Sequence, residues 1–222
     1  MSAEVRRMFA SIARRYDAAN QVLSLGVHRG WRRAAVRLSG AKPGDEVLDC
    51  ATGTGDLARE FRGAGARVTG SDFCLEMMQA ARERSAFVAA DALELPFRAG
   101  QFDLCSIAFG IRNVDDPLRC LREMARVVKP GGRVVVLEFG QPRGAFGALF
   151  RAYSRGVMPL IGGALTGNRA AYEYLPRTAA AFPAGERFLA LMGASGCFSK
   201  SEAHALTLGT AFVYVGHRQP SG

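Results

Sequence analysis

Val47-Leu48-Asp49-Cys50-Ala51-Thr52-Gly53-Thr54-Gly55-Asp56 is the stretch that decides how this chain folds. Val47 and Leu48 end a short apolar run that begins after Pro43-Gly44-Asp45, and Asp49 closes it. Gly53-Thr54-Gly55 then turns into a helical pattern at Leu57, Ala58 and Phe61. Strand, tight turn and helix start bring unpaired backbone N–H groups to the carboxyl end of a strand, the ligand edge of an open α/β sheet. Glycine suits such a turn because it reaches positive φ and lets a ligand approach the backbone closely. The spacing is not G-x-G-x-x-G, since Ala58 stands where the third glycine belongs, and no Gly-Lys-Ser/Thr follows, so neither a dinucleotide fingerprint nor a phosphate loop is present. Asp49 and Asp56 flank the turn, which disfavours a pyrophosphate and suits a cationic or hydroxyl-rich ligand. The plainer alternative is a turn that serves only the fold.

The runs that follow repeat the device. Val68-Thr69-Gly70-Ser71-Asp72 reads as a second strand ending in an acid, where a nucleoside ribose would offer two hydroxyls. A third run, Phe87-Val88-Ala89-Ala90, leads into Asp91-Ala92. Asp49, Asp72 and Asp91 then form a row of acids at one sheet edge, and that row fits a nucleoside with a positive centre and no phosphate: S-adenosylmethionine. A fourth strand at residues 102–108 runs straight into Phe109-Gly110-Ile111-Arg112-Asn113, which makes Arg112 and Asn113 candidates for reaching the reacting group. The alternative for Arg112 is a salt bridge to Asp115 or Asp116.

Residues 57–64, 74–84 and 117–128 read as crossover helices between parallel strands. In the second, Leu75, Met78 and Ala81 are expected to pack inward, and Met77 either leans over an adenine or fills core. The third stops at the breaker Lys129-Pro130-Gly131-Gly132, before a β-branched strand at 133–138. A helix at 186–193 and two strands near 198–206 and 210–217 end the chain.

At 222 residues and 49% apolar composition, the chain is long and greasy enough for one α/β domain over residues 1–222 with a sizeable core. No run of 18 apolar residues suggests a membrane span, and the start lacks the apolar centre of a signal peptide, so a cytoplasmic protein is expected. Five cysteines without C-x-x-C spacing read as thiols, and three histidines give no zinc spacing, so no metal site is expected. Of the net charge of +9, residues 1–42 hold a net of +7, from nine Lys or Arg against Glu4 and Asp17. Basic surfaces attract nucleic acid or anionic lipid. With no RNA-binding motif or aromatic platform beside it, this one is read as membrane-facing, peripheral to the inner face, rather than as a nucleic-acid partner.

Residues 4–15 carry Val5, Met8, Phe9, Ile12 and Ala13 on one helical stripe, forming a cap over the sheet that covers a site or touches lipid. Tyr16-Asp17-Ala18-Ala19-Asn20 is expected to interrupt that helix, and a second piece sets His28 and Trp31 among arginines. Taken singly, Trp31 reads as a core anchor and His28 as a local hydrogen-bond partner; Tyr16, Asn20, His28 and Trp31 together read as the wall of a pocket. Residues 139–185 break the α/β rhythm with many aromatics and glycines, and suit a helical lid over an apolar substrate or an oligomer contact such as a homodimer's.

Two long stretches carry a specific likeness. Tyr16-Asp17-Ala18-Ala19-Asn20 with Ser24-Leu25-Gly26-Val27-His28-Arg29-Gly30-Trp31-Arg32, and Arg112-Asn113-Val114-Asp115-Asp116 through to Gly131-Gly132-Arg133, resemble the two signatures of the quinone-biosynthesis C-methyltransferases. Leu95-Pro96-Phe97, Leu137-Glu138-Phe139, Tyr172-Glu173-Tyr174-Leu175-Pro176 and Phe182-Pro183 extend the likeness over essentially the whole chain. The resemblance implies a Rossmann-like class I methyltransferase fold: a seven-stranded, mostly parallel sheet with an antiparallel last strand, residues 1–42 as a helical cap and 139–185 as a lid insertion. It implies methylation of a ring carbon of a prenylated demethylmenaquinol or a ubiquinol precursor. It places Thr54, Asp72, Asp91 and Ala92 at the cofactor, where the reading of the strand ends and turn also puts Asp49, Gly53, Gly55 and Met77, and it sets Tyr16, Arg112 and Asn113 near the quinol. Proton acceptance is assigned to a water, His28 or Asp17, because an arginine is charged at neutral pH and is a poor base. The sequence departs from the family pattern at Ser195-Gly196-Cys197 and Gly209-Thr210, both near the last strands.

Overall fold

The structure, a computed structural model, describes residues 3–81 and 86–220. Its centre is a seven-stranded sheet of β1 (Glu46–Cys50), β2 (Arg67–Asp72), β3 (Ala86–Ala89), β4 (Phe102–Ala108), β5 (Val128–Phe139), β6 (Phe198–Leu206) and β7 (Ala211–Arg218). The strands lie in the order β3-β2-β1-β4-β5-β7-β6. The first five are parallel, and β7 runs antiparallel between β5 and β6. Strand order reverses between β1 and β4, and the crevice beyond the carboxyl ends of two such strands is where an open α/β sheet binds its ligand.

Alternation along the strands builds two cores. Leu48, Cys105, Val134, Val136 and Tyr214 face α5 (Pro117–Val127) and α9 (Glu186–Ala194), burying Leu121, Met124, Phe188 and Met192. Val47, Leu104, Val135, Leu137 and Val213 face α2 (Val27–Ser39) and α3 (Asp56–Gly63), burying Trp31, Leu57 and Phe61. Adjacent residues serve opposite faces, as a period of two requires in a sheet covered on both sides. At the late sheet edge the pairing is regular from Leu206↔Ala211 to Lys200↔His217 and shifts register between Lys200 and Phe198, next to the departure at Ser195-Gly196-Cys197. Ser195 and Thr210 donate their hydroxyls locally to Met192 O and Thr207 O.

Four expectations need correction. The N-terminal helix does not break at Tyr16. α1 runs from Ala3 to Leu23, and the break comes at Leu25 and Gly26, both at positive φ. Of the polar residues that interrupt its apolar stripe, Tyr16 and Asn20 line a cavity and Asp17 accepts from Thr54, so they do not end the helix. The helix expected at 74–84 is α4, only Leu75–Gln79; Leu75 is exposed while Met78 is buried, Ala81 lies beyond the helix end, and residues 82–84 lie outside the described residues. Lys129-Pro130-Gly131-Gly132 belongs to β5 as an irregularity in its pairing, between Phe102↔Val128 and Leu104↔Arg133. Asp116 is not free for Arg112, since its carboxylate accepts the Arg119 N–H at 2.9 Å and caps α5 ahead of Pro117.

Residues 139–185 form a helical insertion. α6 (Gly144–Ala152) passes through a π turn at Tyr153–Val157 into α7 (Met158–Thr166), and α8 (Arg169–Ala181) packs back on α7 and α1. Gly162 allows that packing: a Cβ there would lie 2.2 Å from Cγ of the fully buried Tyr172. Gly162→Val is therefore expected to destabilise the fold by about 1–3 kcal/mol through overpacking, read as a fall in Tm; an unchanged Tm would mean that α7 and α8 do not meet there. No described helix is long and apolar enough to cross a membrane.

Candidate active site

Two adjoining cavities open at the carboxyl edge of the sheet, one polar and one apolar. The polar one, about 70 Å³, lies over the ends of β1 and β2 and is lined by Asp49, Thr52, Gly53, Thr54, Asp72, Met77 and Asn113 among others. The apolar one, about 140 Å³, lies under the insertion and is lined by Asn20, His28, Trp31, Arg112, Phe139, Phe150 and Tyr153 among others. Tyr16, Arg32 and Phe109 line both, so the two chambers share a wall.

In the polar chamber the glycine turn and the acids are bonded into one unit. Gly53 and Gly55 take φ of +58° and +81°. The Gly53 N–H donates to Asp72 Oδ2 at 2.8 Å, and the Cys74 N–H donates to Asp72 Oδ1 at 2.8 Å. Each Asp72 oxygen keeps lone-pair capacity for a hydroxyl donor. Asp49 accepts from Thr52 Oγ1 at 2.8 Å and from Ser106 Oγ at 2.7 Å. Two non-glycine residues on the lining, Ala51 and Phe109, are also held at positive φ (48° and 54°), a backbone strain that concentrates at functional sites. Burial raises both carboxyls, Asp49 to about 6 against the hydrogen bonds of Ser106 and Thr52, and Asp72 in the same direction. Acids held in this way are stabilised by a neighbouring cation or by hydroxyl donors, and the donor set fits S-adenosylmethionine, whose sulfur is positive and whose ribose carries two hydroxyls.

The raised Asp49 sets a pH dependence. Its folded pKa of about 6 exceeds the ordinary 3.8, so between these values the folded chain binds more protons than the unfolded one. Stability from this residue is highest below pH 4 and falls as pH rises to 6, a cost of about 2–3 kcal/mol at neutral pH. Asp49→Asn is expected to raise the Tm of the ligand-free protein at pH 8 but not at pH 4. A lower Tm at pH 8 would show that the charged form is the better fitted one.

Other sequence-derived candidates are placed differently. Asp17 faces the glycine turn, where the Thr54 hydroxyl donates to its Oδ1 at 2.7 Å and ties α1 to the loop. Asp91 and Ala92 follow β3, where Asp91 accepts the Leu93 N–H at 3.0 Å, and they line neither chamber. His28 shares a hydrogen bond between Nδ1 and the Ser24 hydroxyl. Burial, then Arg32 and Arg29, push its pKa down to about 4, so it is neutral at neutral pH and a weak proton acceptor.

Arg112 meets neither Asp115 nor Asp116. Its Nη1 donates to Phe109 O at 2.6 Å and to Glu138 Oε1 at 2.8 Å, and its guanidinium lies 5.2 Å from the Phe139 ring centroid. Both side chains of the pair are 1% exposed. Asn113 Nδ2 donates to Phe109 O at 3.3 Å, and its Oδ1 accepts from the Tyr174 hydroxyl at 3.1 Å. The polar pair at the junction of the chambers is thus fixed by β5 on one side and α8 on the other. Glu138 is the residue that sequence reasoning missed. Its signal was a lone acid in the apolar run Val134-Val135-Val136-Leu137, and burial raises its carboxyl while Arg112 opposes the shift. Arg32, paired with Asp56 at 3.1 Å, is a second missed residue and puts a cation on the shared wall.

The ubiE/COQ5 methyltransferase family matches this chain over residues 1–218. The chain is 53% identical over 223 residues to the Ubiquinone/menaquinone biosynthesis C-methyltransferase UbiE of Bdellovibrio bacteriovorus, with 96% of this chain and 94% of that protein covered. It is 47% identical over 221 residues to the Demethylmenaquinone methyltransferase of Thermus thermophilus, with 95% and 100% covered. Among solved structures, a SAM-dependent methyltransferase from Thermotoga maritima shares the fold with a TM-score of 0.69 at 20% identity, covering 96% of this chain and 99% of that one.

Proposed function

This chain belongs to the ubiE/COQ5 methyltransferase family, a S-adenosylmethionine-dependent enzyme of quinone biosynthesis, and from that premise we infer that it methylates a ring carbon of demethylmenaquinol to give menaquinol. The supporting observation is the pair of chambers: an acid-lined one suited to a cationic nucleoside opens beside an aromatic one, and Arg112 and Asn113 stand where they meet. The name borne by the relative from Thermus thermophilus favours the menaquinone substrate, while that of the Bdellovibrio relative embraces a ubiquinol precursor as the alternative.

When bound, S-adenosylmethionine supplies an electrophilic methyl group on a positive sulfur. Trp31, Phe109 and Phe139, whose rings lie within 6.2 Å of one another, give the quinol ring an aromatic bed. The shared wall of Tyr16, Arg32 and Phe109 sets the ring carbon against the neighbouring chamber, and such alignment is worth up to roughly 7–11 kcal/mol. As a ring hydroxyl loses its proton, charge spreads to the ortho carbon, and Arg112 stabilises the oxyanion that holds the rest. Once the ring carbon carries the methyl group it sheds its own hydrogen as a proton, and the ring oxygen takes one back as aromaticity returns. Arg112 is charged, His28 is too weakly basic and Asp17 lines neither chamber, which leaves a water near Arg112 and Asn113 to carry the proton away. The test is incubation with methyl-labelled S-adenosylmethionine and each prenylated quinol in turn, followed by location of the label. Label on a ring carbon of demethylmenaquinol is expected. Label on the ubiquinol precursor alone would overturn the choice of substrate, and label on neither would overturn the reading.

A further inference from the structure

The run from Gly144 to Thr166 is apolar on the side that faces the cavity and on the side that faces solvent. Its charged residues are Arg151 and Arg155, and it contains no acid. Inward, Phe150, Tyr153 and Met158 line the apolar chamber. Outward, Leu149 and Leu160 are 69% and 58% exposed, with Phe146 and Val157 beside them in sequence order at helical steps. A surface helix is normally polar on its outer face, so one that is greasy on both faces marks an interaction surface.

A second element joins this face. The turn between α1 and α2 presents Leu25, 88% exposed at a φ of 50°, a conformation that leucine rarely adopts and that asparagine or glycine would take more easily. Tyr153 donates its hydroxyl to Leu23 O at 2.7 Å and ties this tip to the helical run. Leu23 and Ser24 of the tip, with Phe150 and Arg151 of the run, also line the chamber, so the exposed face and the cavity wall are built from the same two segments.

Charge chooses the occupant. There is no Asp or Glu between Asp17 and Asp45, nor between Glu138 and Glu173, while these two stretches hold nine Lys or Arg. Of these, Arg32, Arg33 and Arg169 pair with Asp56, Glu60 and Glu173, and the exposed Arg151 and Arg155 lie on the helical run itself. A second copy of the chain meeting this face symmetrically would set cations against cations. An anionic lipid surface complements both features, leucines entering the headgroup layer while arginines stay with the phosphates.

We propose that the outer face of the 144–166 helical run, with the Leu25 tip, docks on anionic phospholipid and admits a lipid-tailed substrate from the bilayer to the apolar chamber. The assignment rests on the quinol reading of that chamber, and it moves membrane contact from the basic arm as a whole to a defined face. The test compares the full chain with the Leu25→Asn/Leu149→Gln/Leu160→Gln variant, none of whose positions lines either chamber. Cosedimentation uses vesicles of phosphatidylglycerol and phosphatidylcholine in equal parts, and of phosphatidylcholine alone. The unaltered chain is expected to bind the anionic vesicles, and the variant to bind them roughly tenfold or more weakly with its Tm preserved. Turnover of a short-chain, water-soluble quinol should be unchanged, while turnover of the long-tailed quinol in vesicles should fall by a similar factor. Equal binding by both proteins, or none by either, would overturn the proposal. So would a lipid-free dimer that the variant abolishes, since the face would then belong to a second copy. Vesicle binding lost in the variant without methylation of any quinol would sink the functional reading and leave the docking face standing; methylation of the soluble quinol without vesicle binding would do the reverse.

Discussion

Arg112→Met is expected to slow methyl transfer by roughly 10²–10³ in kcat while leaving S-adenosylmethionine affinity nearly intact, the loss typical of removing one oxyanion donor from a preorganised site. The geometry separates the two effects. Arg112 lines the apolar chamber and is bonded to Phe109 O and Glu138, whereas the acids that define the polar chamber lie on β1 and β2. An equal loss of cofactor affinity would put Arg112 in the wrong chamber.

The single variant carries a confounding cost. It strands Glu138, 1% exposed, without its cation, and breaking a buried pair in this way destabilises by about 3–5 kcal/mol. The double variant Arg112→Met/Glu138→Met removes the charge and the stranded partner together, and apolar replacement of a whole buried pair is often neutral for stability. Tm should therefore return most of the way in the double variant while kcat stays low. If turnover returned with stability, Arg112 would be a structural residue and the oxyanion role would fall.

That pair also shows where a sequence stops being informative. The acids at strand ends were legible because Asp49 and Asp72 each close an apolar run, and local pattern is enough to put them at the carboxyl edge. The glycine turn was legible because its exclusions were as clear as its matches. Glu138 was not, because what makes it a partner of Arg112 is the parallel pairing of β4 with β5, which sets Ala108 against Leu137 and brings residues 26 positions apart into contact. Asp17 fails for the same reason: its acceptor role toward Thr54 depends on α1 lying across the glycine turn, 37 residues away. The misplaced break at Tyr16 has another cause. A polar interruption of an apolar stripe marks a helix end only when the stripe faces core throughout, and here part of it faces a cavity wall. Leu75 illustrates the converse, since an apolar residue at helical spacing proved exposed at the first position of the five-residue α4.

Asp72→Ala is expected to weaken S-adenosylmethionine binding by roughly 10²–10⁴, from the loss of two hydroxyl partners to a charged acceptor at about 1.5–3 kcal/mol each. The variant also frees the Gly53 and Cys74 N–H groups from their acceptor, so the glycine turn loses its brace along with the ribose contact. Asp72→Asn separates these contributions poorly, because its amide group would point a donor at a backbone N–H that is itself a donor. S-adenosylhomocysteine separates them well. It keeps the ribose and lacks the positive sulfur, so a residue that reads the hydroxyls costs both ligands the same factor when removed. If Asp72 instead acted through charge, the loss for S-adenosylmethionine would exceed that for its demethylated product, as is expected of any carboxylate near the sulfonium. Titration calorimetry with both ligands decides between them. Unchanged affinity for either would remove Asp72 from the ribose and leave the acid row at the sheet edge without its central contact.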